Sequence, residues 1–332
     1  MRRTSVLSAA VFSLILAALI SGCASRGKVV TVEDRAEKIV EIKEGAGITV
    51  RDWTPVIAKE EAPEKPAPAA SAPEIKTPAD GVTKERAPET QKPAAAAVPA
   101  EKTRIIENKA FKPGEKLTFA ISYLGLTAAT AEVQIGDFVK LKGRKCYHII
   151  TKTKVVPLVA ALVRVDDLVE TFFDAEGIYS RRMIKSLREG NYEKDVILEF
   201  DPASRSVKEI EKSGTKSFTG LPDFCHDILS AFFYFRTQEL EPGKDVVLPV
   251  YADGKVNNLK VRILRKEKVR IPLGTYNAVV VAPLLDFESI FKQEGEVTIW
   301  LSDDELHIPL MMKSKVFVSS VSAKLIDAVI PE

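Results

Sequence analysis

The chain has 332 residues, of which 45% are hydrophobic, and this is the composition of an ordinary globular protein. Its 48 lysines and arginines nearly balance 46 aspartates and glutamates, so no overall field favours nucleic acid or an acidic substrate. The three cysteines and three histidines are scattered without zinc-site spacing, and we expect neither a metal nor a cofactor.

The amino terminus has the pattern of a secretory signal peptide at residues 1–22. Arg2 and Arg3 supply a positive start, and residues 6–19 are apolar apart from two serines. This run is too short to span a membrane and is typical of a cleaved signal.

The four residues that follow, Ile20-Ser21-Gly22-Cys23, resemble a bacterial lipobox. The resemblance implies that Cys23 carries a thioether lipid and becomes the first residue of the mature protein. Ala24-Ser25 contains no aspartate retention signal, which by the same resemblance implies an outer-membrane lipoprotein facing the periplasm. The other interpretation is an ordinary signal peptide with an incidental cysteine.

Two segments of different composition follow the anchor. Residues 23–54 are predicted to be a tether with some local order, and a hairpin or partner-binding peptide is the alternative. Residues 55–103 consist largely of Pro, Ala, Glu and Lys, as in Ala62-Pro63-Glu64-Lys65-Pro66. Such a segment cannot bury enough apolar area to fold, so we predict a disordered linker.

Residues 104–332 form the predicted folded part. Short alternating runs such as residues 117–123 and 196–200, with turn signals between them, predict antiparallel β-structure. Residues 223–238 differ, because apolar side chains recur there at helical spacing after a Pro-Asp start signal. We therefore predict a mainly β fold, a curved sheet or partly open barrel or sandwich, with one main helix at about 223–238.

The folded part also contains a predicted duplication, with copies at about 110–200 and 239–325. Phe111-Lys112-Pro113-Gly114 corresponds to Leu240-Glu241-Pro242-Gly243 about 129 residues later, and further matches follow in the same order. The alternative is that β-rich sequences reuse Pro-Gly turns.

Several motifs in this region together resemble a bacterial envelope family known as domain of unknown function 3108. They are Phe111-Lys112-Pro113-Gly114-Glu115-Lys116-Leu117, Ser122-Tyr123-Leu124-Gly125, Asp227-Ile228-Leu229-Ser230-Ala231, Pro272-Leu273-Gly274-Thr275-Tyr276 and Ile299-Trp300-Leu301-Ser302-Asp303-Asp304. The resemblance implies a β-rich periplasmic domain without an established activity. Phe172-Phe173-Asp174 and Trp300-Leu301-Ser302-Asp303 carry a weaker resemblance to the lipoprotein-carrier (LolA/LolB-like) open β-barrel, which is an analogy of fold only.

Each copy has a bulky apolar stretch at the same place, after the strand that contains Tyr147 or Tyr276. We interpret the two stretches as the border of a ligand cavity, because such cavities have apolar linings with few polar groups. The alternative is packing in the core or a short buried helix. The candidate ligand-binding residues are Val155, Leu158, Leu162, Leu284, Phe287 and Phe291.

Few other residues in the sequence are candidates for a disulfide or for catalysis. Cys146 and Cys225 form either a disulfide or two buried thiols. His226-Asp227 is the only neighbouring His–carboxylate pair, and a cleft joining it to a nucleophile would indicate an enzyme. No catalytic motif is present, so we expect a non-enzymatic lipoprotein that binds an apolar or lipidic ligand. The alternative is an adaptor that binds another envelope protein or the cell wall.

Overall fold

The computed structural model describes residues 101–160, 164–284, 297–316 and 319–332. The signal peptide, Cys23, the tether and nearly all of the linker lie outside these ranges, so the expectations for them stay predictions. None of the helices in these ranges has the length and apolar character to cross a membrane.

The described chain is mainly β-structure. The helices are α1 (Pro157–Ala160) and α2 (Ile228–Arg236). The strands are β1 (Lys116–Tyr123), β2 (Leu126–Ile135), β3 (Val139–Leu141), β4 (Arg144–Val155), β5 (Asp166–Asp174), β6 (Ser180–Glu189), β7 (Tyr192–Asp201), β8 (Ser206–Glu211), β9 (Gly214–Thr219), β10 (Asp245–Ala252), β11 (Lys255–Ile271), β12 (Gly274–Leu284), β13 (Val297–Ser302), β14 (Pro309–Val316) and β15 (Ser319–Val329).

All these strands belong to one antiparallel sheet in the order β10 to β15, then β1, β2 and β4 to β9, with β3 beside β4. The last strand therefore pairs with the first, from Lys116 opposite Val329 to Tyr123 opposite Val321. The ladder is open between β9 and β10, so the sheet is not closed into a barrel. The predicted fold class is confirmed.

Equivalent local structures occur at corresponding positions of the two predicted copies. The hairpin β1–β2 turns at Leu124-Gly125 with φ of 50° and 82°, and the hairpin β10–β11 turns at Asp253-Gly254 with φ of 53° and 73°. Positive φ at both central residues is the geometry of a tight hairpin turn. The Gly114 and Gly243 amides donate to the carbonyls of Ile135 and Ile263 at 2.9 and 2.8 Å. These equivalences support the predicted duplication, with β1–β7 and β10–β15 as the two predicted copies and β15 paired with β1.

The main hydrophobic core joins the two copies around α2. Its buried side chains come from β5–β8, β10–β13 and the helix. The helix is shorter than the predicted 223–238, because Asp227 is its N-cap and accepts hydrogen bonds from the Leu229 and Ser230 amides. His226, just before the cap, instead pairs with Val250 of β10.

A buried ion pair fixes the other end of the helix. The guanidinium of Arg236 binds both carboxylate oxygens of Glu115, at 2.6 and 2.9 Å. It also donates to the carbonyls of Ala110 and Leu306. These bonds hold α2 against the start of β1 and the turn before β14.

Candidate functional site

The predicted cavity border is only partly described. Val155 ends β4, is half-buried, and packs beside Ala129 and Ile121. Leu284 ends β12 and is exposed. Leu158 lies in α1 but its side chain is outside the description, as are the whole of Leu162, Phe287 and Phe291. Whether these six residues border one cavity stays a prediction.

The strand register defines the face of the sheet that points toward α2 and the main core, which we call the inner face. Thr151 of β4 lies opposite Val169 of β5, and Val169 lies opposite Lys185 of β6. Val169 belongs to the main core, so Thr151 and Lys185 share its face. Because side chains alternate along a strand, Thr153 and Val155 point the same way.

The inner face is lined by small apolar side chains where the two copies meet. Ala323 of β15, Ile121 of β1 and Ala129 of β2 lie in one row across three strands. They form a buried cluster with Ala131 and Val321. We call these five residues the alanine wall.

Three hydroxyl groups on the inner face are buried without a hydrogen-bond partner in the described structure. They are Thr151 Oγ1, Thr153 Oγ1 and Ser314 Oγ, in residues that are 1%, 2% and 1% exposed. Ser314 lies opposite Val321 of the alanine wall. A buried polar group left unpaired costs about 1–3 kcal/mol, so each of these hydroxyls requires an explanation.

A cleft lies where residues 101–104 meet the folded part. Glu101 pairs with Arg181, Lys102 pairs with Asp223, and Arg104 stacks between the rings of Phe224 and Tyr234. The cavity beside these contacts measures about 20 Å³. This volume suits about one water molecule and is too small for a lipid.

The family model described as "Protein of unknown function (DUF3108)" matches residues 118–326. The chain belongs to the DUF3108 family. This confirms the resemblance carried by the sequence motifs. No curated protein matches the chain.

Three solved structures are similar to the DUF3108 domain, at low identity. A β-barrel-like protein of domain of unknown function DUF1849 from Brucella abortus is 12% identical, with a TM-score of 0.44, covering 67% of this chain and 100% of that one. A protein described as a putative lipoprotein from Parabacteroides distasonis is 9% identical, with a TM-score of 0.26, covering 69% and 100%. A protein described as a putative exported protein with a YmcC-like fold from Bacteroides fragilis is 13% identical, with a TM-score of 0.26, covering 68% and 99%.

The His–Asp pair of the DUF3108 domain is built into the start of α2. His226 Nδ1 lies 3.2 Å from Ser230 Oγ, but Nε2 lies 3.4 Å from the Arg104 guanidinium and not beside a carboxylate. His226, Asp227 and Ser230 are fully buried. Burial, with a smaller effect of the nearby Arg104 charge, lowers the pKa of His226 to about 3 and keeps the ring neutral. Asp227 is occupied in capping the helix, so the arrangement lacks the geometry of a catalytic triad.

The two cysteines of the DUF3108 domain are buried and unbridged, which corrects the disulfide alternative. Cys146 packs with Phe172 and Ile184 on the outer face of the sheet, whereas Cys225 lies in the main core. Burial raises the pKa of each thiol to about 12. The sheet therefore separates the two thiols, and the buried-thiol alternative is the one observed.

Two pairs of neighbouring aspartates, Asp166-Asp167 and Asp303-Asp304, each contain a carboxylate that accepts hydrogen bonds from backbone amides. Asp304 accepts hydrogen bonds from the amides of Leu306 and His307 and from the Ser302 hydroxyl. Asp167 accepts a hydrogen bond from the Arg188 amide at 2.7 Å. Across the described ranges, no group of three or more His, Cys, Asp and Glu side chains is placed to hold a metal ion.

We expect the stability of the DUF3108 domain to depend on pH because of Asp167. Burial, reinforced by Glu189 and Asp166, raises the pKa of this carboxyl to about 7, against an ordinary value of 3.8. Between these pH values the unfolded chain releases the proton and the folded chain retains it. The contribution of Asp167 to the free energy of unfolding therefore falls as pH rises.

We expect Asp167→Asn to be more stable than the wild type at pH 8 by up to a few kcal/mol, because asparagine removes the cost of ionising a buried carboxyl. The advantage should disappear near pH 4. Urea unfolding at both pH values measures it, with the exposed Asp195→Asn as the control. An equal difference at the two pH values would contradict the assignment.

Proposed function

We propose that this protein is a lipid-anchored envelope lipoprotein whose β domain binds an apolar or lipidic ligand on its inner face. The lipobox resemblance at Cys23 supports the anchor, and the residues after it support an outer-membrane location facing the periplasm. The proposal includes no catalytic step, no cofactor and no nucleic acid.

The three buried hydroxyls that have no hydrogen-bond partner within the described ranges carry this proposal. Thr151 and Thr153 lie on β4, next to β2 of the alanine wall, and Ser314 lies on β14, next to β15. A ligand that rests its apolar part on the alanine wall can offer a polar group to the β4 hydroxyls on one side of the wall or to Ser314 on the other. An apolar lining with a few polar groups is what small-molecule sites use.

The alanine wall supports the same conclusion by its shape. Alanine at positions 129, 131 and 323 leaves more room above the sheet than the Leu, Val and Ile side chains that β10–β13 contribute to the main core. A face made for tight packing alone is expected to use larger residues there. Small apolar side chains at these positions are compatible with an alkyl chain lying against the wall.

The test is to fill the wall. We expect Ala131→Phe to weaken uptake of a dansyl-labelled fatty acid at least about 10-fold, because the ring occupies the ligand's space, while the melting temperature stays nearly unchanged. If the wall is fully packed, overpacking should cost about 1–3 kcal/mol and lower the melting temperature instead. The control is Thr130→Phe, whose side chain lies on the opposite face of the same strand.

An adaptor function is the second candidate, and strand β9 favours it. This strand is mostly exposed and forms an edge of the sheet. The other edge, β10, is covered by His226, whose amide donates to the Pro249 carbonyl at 2.9 Å. An open edge can accept a strand from another protein. A wild-type protein that is well folded but takes up no fatty acid would favour this candidate.

A further inference from the structure

The hairpin of β11 and β12 extends beyond both neighbouring strands of the sheet. Strand β10 pairs with β11 only as far as Arg262, and β13 pairs with β12 only from Ala278 onward. Residues 263–277 are therefore a two-stranded extension of the sheet. We call residues 266–276, at its end, the hairpin tip.

The two faces of the hairpin tip differ in their surroundings. Val269 and Ile271 are buried and belong to a hydrophobic cluster with residues of β1, β13, β14 and β15. Lys266, Lys268 and Arg270 alternate with them along β11 and are exposed. Because side chains alternate along a strand, the packed face holds the row of three basic side chains away from the cluster.

Two of the three basic side chains have no counter-ion in the ranges that the structure describes. Lys266 Nζ lies 2.7 Å from Asp303 Oδ1 and forms an ion pair with it. Glu267 is the only carboxylate in the sequence of the hairpin tip, and an arginine of the same strand binds it at 2.8 Å. Lys268 and Arg270 form neither an ion pair nor a side-chain hydrogen bond in this part of the chain. The hairpin tip therefore presents two positive charges that an anion can neutralise.

Exposed apolar side chains accompany these charges at the turn. Leu273 is 42% exposed and Tyr276 is 37% exposed. The Tyr276 hydroxyl donates to the Leu273 carbonyl at 3.4 Å, so the ring lies beside the turn. Aliphatic and aromatic side chains next to Lys and Arg are typical of segments that enter the interface of a membrane. A soluble anion would require the charges but not the apolar turn.

We propose that the hairpin tip docks the β domain on the surface of a bilayer that contains anionic phospholipids. Lys268 and Arg270 bind the phosphate groups, while Leu273 and Tyr276 enter the interface between the lipids. The lipid anchor proposed at Cys23 keeps the domain near a membrane, and the hairpin tip orients the domain on its surface. This contact is separate from ligand binding on the inner face and does not depend on it.

The experiment is sedimentation with vesicles of phosphatidylcholine alone and of phosphatidylcholine mixed with phosphatidylglycerol. The protein is the mature chain that the lipobox implies, residues 23–332 with Cys23→Ser, so that neither the signal peptide nor acyl chains bind the vesicles. We expect binding to the mixed vesicles alone, and weaker binding at high salt. The double variant Lys268→Gln, Arg270→Gln should bind about 25-fold more weakly, which is about 5-fold for each basic residue near an anionic surface.

Matched variants separate the hairpin tip from the general charge of the protein. The double variant Lys208→Gln, Lys216→Gln removes two exposed lysines of β8 and β9 and should bind like the wild type. The exchange Lys268→Arg, Arg270→Lys keeps both charges and should also retain binding. These variants should all melt like the wild type, because the substituted side chains are exposed.

The outcomes also separate a bilayer from a soluble anion. Leu273→Ser should weaken binding to the mixed vesicles about 5-fold, because the turn loses its apolar side chain. Unchanged binding in this variant, together with binding of soluble polyphosphate by the wild type, would assign the hairpin tip to soluble anions instead. Equal binding of the wild type to both kinds of vesicle, no binding to either, or unchanged binding after Lys268→Gln, Arg270→Gln would overturn the proposal. Uptake of the dansyl-labelled fatty acid tests the proposed function independently of these results.

Discussion

Arg236→Met is expected to destabilise the domain by about 3–5 kcal/mol, since it leaves the Glu115 carboxylate buried without its counter-ion. The Arg236 side chain is 0% exposed and the Glu115 side chain 3%. The substitution also removes the donors to the Ala110 and Leu306 carbonyls. For a domain of this size, the melting temperature should fall by on the order of 10 °C. Thermal unfolding followed by circular dichroism measures the change.

Two further variants show whether the loss comes from the unpaired charge. The double variant Arg236→Met, Glu115→Leu should recover much of the stability, because neither charge remains to be buried. Lys260→Met breaks an ion pair with Asp245 at the surface, where the Lys260 side chain is 43% exposed, and should cost less than about 1 kcal/mol. An Arg236→Met variant as stable as Lys260→Met would contradict the structural role of the buried pair.

Asp227→Ala is expected to cost a similar amount, about 3–5 kcal/mol, because one carboxylate satisfies four donors. Its Oδ1 accepts from the amides of Leu229 and Ser230 at 2.9 and 3.0 Å, and its Oδ2 accepts from the hydroxyls of Thr171 and Ser180 at 2.6 Å. Loss of a helix cap costs about 0.5–2 kcal/mol, and buried donors without a partner add to this. Urea unfolding measures the effect.

The comparison with Asp227→Asn distinguishes the stability lost with the hydrogen bonds to Asp227 from the stability lost with its side-chain volume. Asparagine keeps an oxygen that can cap the amides, and its NH2 group can donate to the hydroxyl oxygens of Thr171 and Ser180. We therefore expect Asp227→Asn to lose distinctly less stability than Asp227→Ala. Equal losses in the two variants would show that the hydrogen bonds to Asp227 contribute little.

The equivalent turns of the two predicted copies could be predicted from the sequence because they depend on local turn chemistry. The glycines of the Pro-Gly pairs and the glycine at the second turn position of each hairpin, Gly125 and Gly254, have positive φ, which glycine adopts without steric cost. The start of α2 could not be placed in the same way. Asp223 and Asp227 are both acceptable caps in sequence, and the choice depends on Thr171 and Ser180, which are distant in the chain.

The candidate site also could not be predicted completely from the sequence. Apolar stretches at residues 155–163 and 283–291 are equally compatible with a cavity border and with a packed core, since composition does not show what faces them. Thr151 and Thr153 resemble ordinary strand residues in the sequence. Their strand alternation with Ile149 could have placed them on the inner face, but the absence of hydrogen-bond partners in the described structure depends on the whole sheet.

The most direct test of ligand binding is native mass spectrometry of the full chain carrying Cys23→Ser, purified without detergent, beside the same chain with Ala131→Phe. We expect a lipidic molecule, bound without a covalent bond, that accompanies the first protein and is lost from the second while both remain folded. Two folded proteins that both carry nothing, or that carry the same molecule in equal amounts, would contradict binding at the alanine wall.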